Sequence, residues 1–154
     1  MKARTIALTI AVCFVACAVC FASDMQMGTW KLNDAKSKIA PGASKNNTVV
    51  YEAMGDEVKV TVDGTNGSGQ ATHNEWTGKF DGKFYPVTGD PNTDERAYKQ
   101  INDRTMELTT KKGGKVTATG RIVVAANGKS RTVTITYAGS MGKTATSTAV
   151  YDKQ

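Results

Sequence analysis

From Thr48 to the end of the chain, apolar and polar residues alternate with period two, in runs divided by Gly-, Asn- and Asp-containing turns. That is the pattern of antiparallel strands. "EVKVTVDG" puts Val58, Val60 and Val62 on one face and Lys59 and Thr61 on the other. "KSRTVTITY" interleaves Thr132, Thr134 and Thr136 with Val133, Ile135 and Tyr137, so one face is wet and the other dry. Asp81-Gly82 and Asn127-Gly128 are two-residue hairpin signals, because both positions must tolerate positive φ. Counting "GTWKLN" (28–33) as the first, about ten short strands are predicted. The segment 34–47, "DAKSKIAPGASKNN", reads as loop with at most one helical turn before Pro41.

Nearly all connections are short, which suits neighbouring hairpins better than the crossovers of a Greek-key sandwich. The fold class is therefore all-β, a single antiparallel up-and-down β-barrel of 8–10 strands, since closure removes the unpaired edges. The dry face collects Trp30, Leu32, Val58, Val60, Val62, Trp76, Phe80 and Met106. It continues through Leu108, Val116, Ile122, Val124, Val133, Ile135 and Tyr137. A barrel of eight strands is just filled by side chains or holds one small ligand, and ten leave more room. Small inward residues, Ala118 and Gly120, are compatible with a cavity.

The first residues are not part of that rhythm. Lys2 and Arg4 precede an apolar run from Ile6 to Phe21, followed by small residues, as in a secretory signal peptide. The run is shorter than a membrane-spanning helix needs. The expected division is a signal peptide at 1–22 and a barrel domain at 23–154, with a periplasmic or secreted product. Phe14-Val15-Ala16-Cys17 imitates the bacterial lipoprotein box, although Phe14 fits the leucine position badly, and makes lipidation at Cys17 a secondary expectation. All three cysteines (Cys13, Cys17, Cys20) lie in this leader, so the expected mature domain has no disulfide, thiol nucleophile or cysteine metal ligand. The formal net charge is +6, and two of the basic residues, Lys2 and Arg4, belong to the leader. The remaining ones are spread singly apart from the pair Lys111-Lys112 in a turn, unlike the concentrated basic surfaces that bind nucleic acid.

Gly28-Thr29-Trp30-Lys31-Leu32 at the first strand and Thr146-Ser147-Thr148-Ala149-Val150-Tyr151 at the last resemble the calycins, the lipocalins and fatty-acid-binding proteins. "DGKFYPVTGDP" (81–91) is similar to small exported bacterial proteins described as lipocalin-like and without an assigned function. The resemblance implies a barrel plugged by the Trp30 indole and carrying a small apolar molecule. Lipocalins usually cross that Trp with a late Arg or Lys, for which Arg121 and Arg131 are candidates. Fatty-acid-binding proteins place an Arg two residues before the final Tyr; here Ala149 stands there, so a headgroup clamp of that type is not supported.

Reactive constellations are scarce. His73, the only histidine, sits opposite Trp76 and Phe80 and is expected to face solvent beside Glu75. One His and one carboxylate make a poor metal site, and a Ser-His-Asp triad would need His73 inside. The aspartates fall in turns, where their own turn chemistry explains them. Lys111-Lys112-Gly113-Gly114 lacks the following helix of a phosphate-gripping loop. Trp30, Trp76, Tyr85, Tyr98, Arg131 and Tyr137 are the candidate ligand-binding residues. Each also has a plain structural role: the aromatics as core, and Arg131 as a side chain that snorkels to water rather than meeting an anionic headgroup. The expected function is binding of a small hydrophobic or amphipathic ligand inside the barrel, with no catalysis, cofactor or metal. Nucleic acid is not an expected partner, nor is an integral membrane segment after cleavage. The alternative is a filled barrel that meets a protein partner of the cell envelope.

Overall fold

A computed structural model describes residues 25–139 and 144–154; the leader expected at 1–22 and its three cysteines lie outside the described residues. Ten strands follow one another: β1 (Gly28–Leu32), β2 (Lys45–Met54), β3 (Glu57–Thr65), β4 (Ala71–Gly78), β5 (Tyr85–Thr88), β6 (Glu95–Asn102), β7 (Thr105–Lys112), β8 (Lys115–Val124), β9 (Ser130–Ala138) and β10 (Thr144–Lys153). Each pairs antiparallel with its chain neighbours, and β1 pairs with β10, so the sheet closes into an up-and-down barrel. Ten is the upper end of the expected range. The only helical element among the described residues is one 3-10 turn, Asp34–Lys36, where Asn33 accepts a hydrogen bond from the Lys36 amide.

Up-and-down order sends alternate connections to opposite ends. One end, the floor, carries residues 25–27 and the connections 55–56, 79–84, 103–104 and 125–129. The other, the mouth, carries 33–44, 66–70, 89–94 and 113–114. Period two then decides the interior. Near the floor, Trp30, Val60, Trp76, Met106 and Val124 are almost fully buried. Trp30 donates its indole N–H to the Gln26 carbonyl (2.8 Å), which ties residues 25–27 across the barrel end. Tyr51, Trp76, Phe80, Tyr85 and Tyr98 form a cluster of mostly edge-to-face rings, the arrangement that aromatic quadrupoles favour.

Three local expectations are corrected. Val116 is not inward: a bulge opposite Thr110 and Lys111 makes Thr117 the extra residue, its hydroxyl 2.8 Å from that of Thr110, and turns Val116 out to 46 % exposure. The Asn127-Gly128 hairpin closes over 125–129 rather than two residues, with Gly128 at φ 69. The strand expected through 83–88 begins only at Tyr85. Ahead of it, the Gly82 amide bonds the Tyr98 carbonyl and the Gln100 amide bonds the Phe80 carbonyl, so 80–82 rather than a strand extends the wall beside β6.

Candidate functional site

The floor half is filled by side chains; the mouth half is not. A cavity of about 420 Å3 runs from the connections at 40–44 and 90–93 down to Arg131. Volumes of this order are those of small-molecule sites. Val49, Val62, Leu108, Ile122, Val133 and Ile135 make its apolar wall, and Tyr51, Tyr98, Tyr137 and Tyr151 give it rings with polar tips. Ala118, between Thr110 and Tyr137 in register, leaves space that a larger side chain would fill.

Two arginines line this space. Arg131, the second residue of β9, sits at its deep end and is only 2 % exposed. Its guanidinium carbon lies 4.6 Å from the Trp30 ring, 4.8 Å from Tyr51 and 5.0 Å from Tyr151, three cation–π contacts. Its Nε and Nη1 are buried without a hydrogen-bond partner, and no carboxylate among the described residues forms an ion pair with it. Arg96, the second residue of β6, sits at the mouth end. Its Nη2 donates to Asn74 Oδ1 (3.1 Å) and lies 4.0 Å from Asp90 Oδ2, while its Nε and Nη1 have no partner. Burial pushes the Tyr98 and Tyr151 hydroxyls above the usual tyrosine range, so both stay protonated donors at neutral pH. Tyr137 is also raised by burial, against the opposing effect of Ser147.

Of the residues singled out in the sequence, Tyr98, Arg131 and Tyr137 line the cavity. Trp30, Trp76 and Tyr85 do not. Trp30 lies beneath Arg131, Trp76 donates its indole N–H to the Arg96 carbonyl (2.8 Å), and Tyr85 bonds Asp81 (3.0 Å) at the floor end. Arg131 does not snorkel: an inward position one residue into β9 has no path to water except through the cavity. It, not Arg121, crosses Trp30; Arg121 is exposed and faces Glu107 at 3.9 Å. Sequence reasoning missed Tyr51, Arg96 and Tyr151. Period two carries the signal for Arg96, since it shares a face with Tyr98, and for Tyr51, which shares one with Val49.

His73 is on the outer face, its Nδ1 2.7 Å from Asp63 and its Nε2 3.8 Å from Glu75. Among the described residues, no three His, Cys, Asp or Glu side chains are grouped to hold a metal ion. The Gly113 amide in the Lys112–Gly114 turn donates to Asp94 Oδ2 (2.8 Å), so a carboxylate of the chain itself takes that N–H. No helix among the described residues is long and apolar enough to cross a membrane.

No protein-family model matches the chain, and no curated protein matches it. Among solved structures, one described as the structure of EF1p2_mFAP2b bound to DFHBI aligns over 86 % of this chain and 97 % of that one. The identity is 12 % and the TM-score 0.49. The barrel assignment rests on the strand order and closure of the chain itself.

Proposed function

We propose that this protein is a lipocalin-like carrier that binds a small apolar or amphipathic molecule inside its barrel. The cavity supports the reading: about 420 Å3, mostly apolar in its walls, with polar groups at defined places. Binding there works by burial, at roughly 25 cal/mol for each Å2 of apolar surface removed from water, while the polar groups fix orientation. A barrel filled by side chains, the rival reading, leaves no such volume. The proposal includes export, which the leader-like residues 1–22 favour, and no bond-making role, since His73 stands on the outer face beside Asp63.

Native mass spectrometry of the protein purified from its own compartment, followed by organic extraction, tests this. The expected result is a reproducible small-molecule adduct that leaves on denaturation, or stoichiometric uptake of the neutral apolar dye Nile red by the bare protein. Bare protein that takes up no Nile red overturns it.

A further inference from the structure

The sequence carries two Asn-Gly pairs, Asn66-Gly67 and Asn127-Gly128. In such a pair the glycine nitrogen can attack the asparagine side-chain carbon and close a five-membered ring, because a glycine without Cβ permits the close approach. The fold prepares the two pairs differently. In the 125–129 hairpin the Gly128 N–H donates to the Ala125 carbonyl (2.9 Å), and Asn127 Oδ1 accepts one backbone N–H, that of Lys129 (3.0 Å). In the 66–70 turn at the mouth, Gly67 is exposed and its N–H has no acceptor among the described residues. Asn66 Oδ1 there accepts two backbone N–H groups, from Ser68 and Gln70 (3.0 Å each). The attacking nitrogen is thus free at Gly67 and engaged at Gly128. The two donors on Asn66 Oδ1 also face the oxygen that turns negative when its carbon is attacked, the service that an oxyanion hole performs.

We propose that Asn66 is a site of spontaneous modification, which closes on Gly67 to a succinimide and reopens as aspartate or isoaspartate. The Gly67 nitrogen loses its proton to a solvent base and bonds to Asn66 Cγ. The Cγ–Nδ2 bond breaks, and Nδ2 takes a proton from water and leaves as ammonia. Water then adds to one of the two ring carbonyls. Opening at Cγ restores the main chain with an aspartate side chain; opening at the Asn66 backbone carbonyl leaves the main chain running through Cβ and Cγ, as isoaspartate. Nothing is oxidised or reduced, and each conversion takes up water and releases ammonia. Either product puts a negative charge at the mouth, where the 66–70 turn rests on the turn that the Ala43 amide closes on the Ala40 carbonyl (3.0 Å). That contact has no slack, since a Cβ at Gly67 would lie 2.2 Å from the Gly42 carbonyl oxygen. Isoaspartate lengthens the main chain beside it and so lifts the 66–70 turn off the 40–44 rim of the cavity.

The test ages the folded wild-type protein in mildly alkaline buffer, digests samples in mild acid, and measures aspartate and isoaspartate at both positions by mass spectrometry with electron-transfer fragmentation. Asn66 is expected to convert about tenfold faster than Asn127, the size set by one free rather than engaged amide and a better held oxyanion. In urea, where the turns are gone and a glycine still follows each asparagine, the two rates are expected to converge. Equal rates in the folded protein, faster conversion at Asn127, or no conversion at either position overturns the proposal. A gap that survives in urea belongs to the sequence and overturns the structural cause. The isoaspartyl form, separated by ion exchange, is expected to show faster amide hydrogen exchange over 40–44 than unmodified protein; unchanged exchange there refutes the lifted rim.

Discussion

Ala118→Leu is the substitution whose sign separates a cavity from a packed core. Ala118 sits on the inner face of β8, in register with Thr110 on one side and Tyr137 on the other, and its methyl group lines the 420 Å3 space. The leucine adds three carbons. If they enter the cavity, burying them gains about 0.8 kcal/mol each, about 2.4 kcal/mol together. Fixing the leucine rotamer costs about 0.5–1 kcal/mol, which leaves roughly 1.5 kcal/mol of added stability. For a domain of this size that is a rise in Tm of about 6 °C, measured on ligand-free protein by scanning calorimetry. The same side chain takes up ligand space, so Nile red affinity is expected to fall by about tenfold or more. In a core packed to normal density the leucine would instead overfill its site, at a cost of about 1–3 kcal/mol. A lowered Tm with dye uptake unchanged would refute the cavity and the carrier reading with it.

Other perturbations test the frame around that site. Gly78→Ala would place a Cβ 2.5 Å from the Tyr85 ring and 2.8 Å from the Trp76 ring; the expected loss is about 1–3 kcal/mol, read as a lower urea midpoint at unchanged m-value. Trp30→Phe removes the indole N–H from the Gln26 carbonyl and leaves a gap at the floor, so thermal melts should show a loss of about 2–4 kcal/mol. Burial raises Tyr98 and Tyr151 in the folded state above their unfolded value of about 10. Their contribution is therefore complete below pH about 10 and is lost as pH rises further, because only the unfolded chain ionises freely there. Alkaline unfolding monitored by circular dichroism should move to higher pH in Tyr98→Phe/Tyr151→Phe, and identical profiles would contradict the assignment.

The barrel was legible because its information is local. Val58, Val60 and Val62 against Lys59 and Thr61, or Val133, Ile135 and Tyr137 against the intervening threonines, declare one dry face without reference to any other part of the chain. Where the structure departs, a non-local contact decides. Val116 keeps the period in sequence, but its partner strand imposes a bulge and sends it outward. Arg131 looks like a snorkelling side chain in one strand; closure of β1 on β10 brings Trp30, Tyr51 and Tyr151 around it and leaves the cavity as its one route to water. The split between Trp76 and Tyr85 as packing and Tyr98 and Tyr137 as cavity wall depends on height along the barrel axis. Alternation gives the face of a residue, not its depth.

The pairing of β1 with β10 also sets how the molecule must assemble. Every other ladder joins strands that follow each other in the chain and can zip from a nearby turn. This one holds Trp30 against Lys153, Lys31 against Asp152 and Leu32 against Tyr151, with Asn33 Nδ2 donating to Asp152 Oδ2 (2.7 Å). Bringing segments so far apart together carries the largest loop-closure entropy in the fold, and such long-range pairings are the slow ones. The seam should close last. Weakening it, for instance through Asn33→Ala, should then leave the refolding rate nearly unchanged and speed unfolding, since an interaction absent from the transition state acts on the exit rate alone.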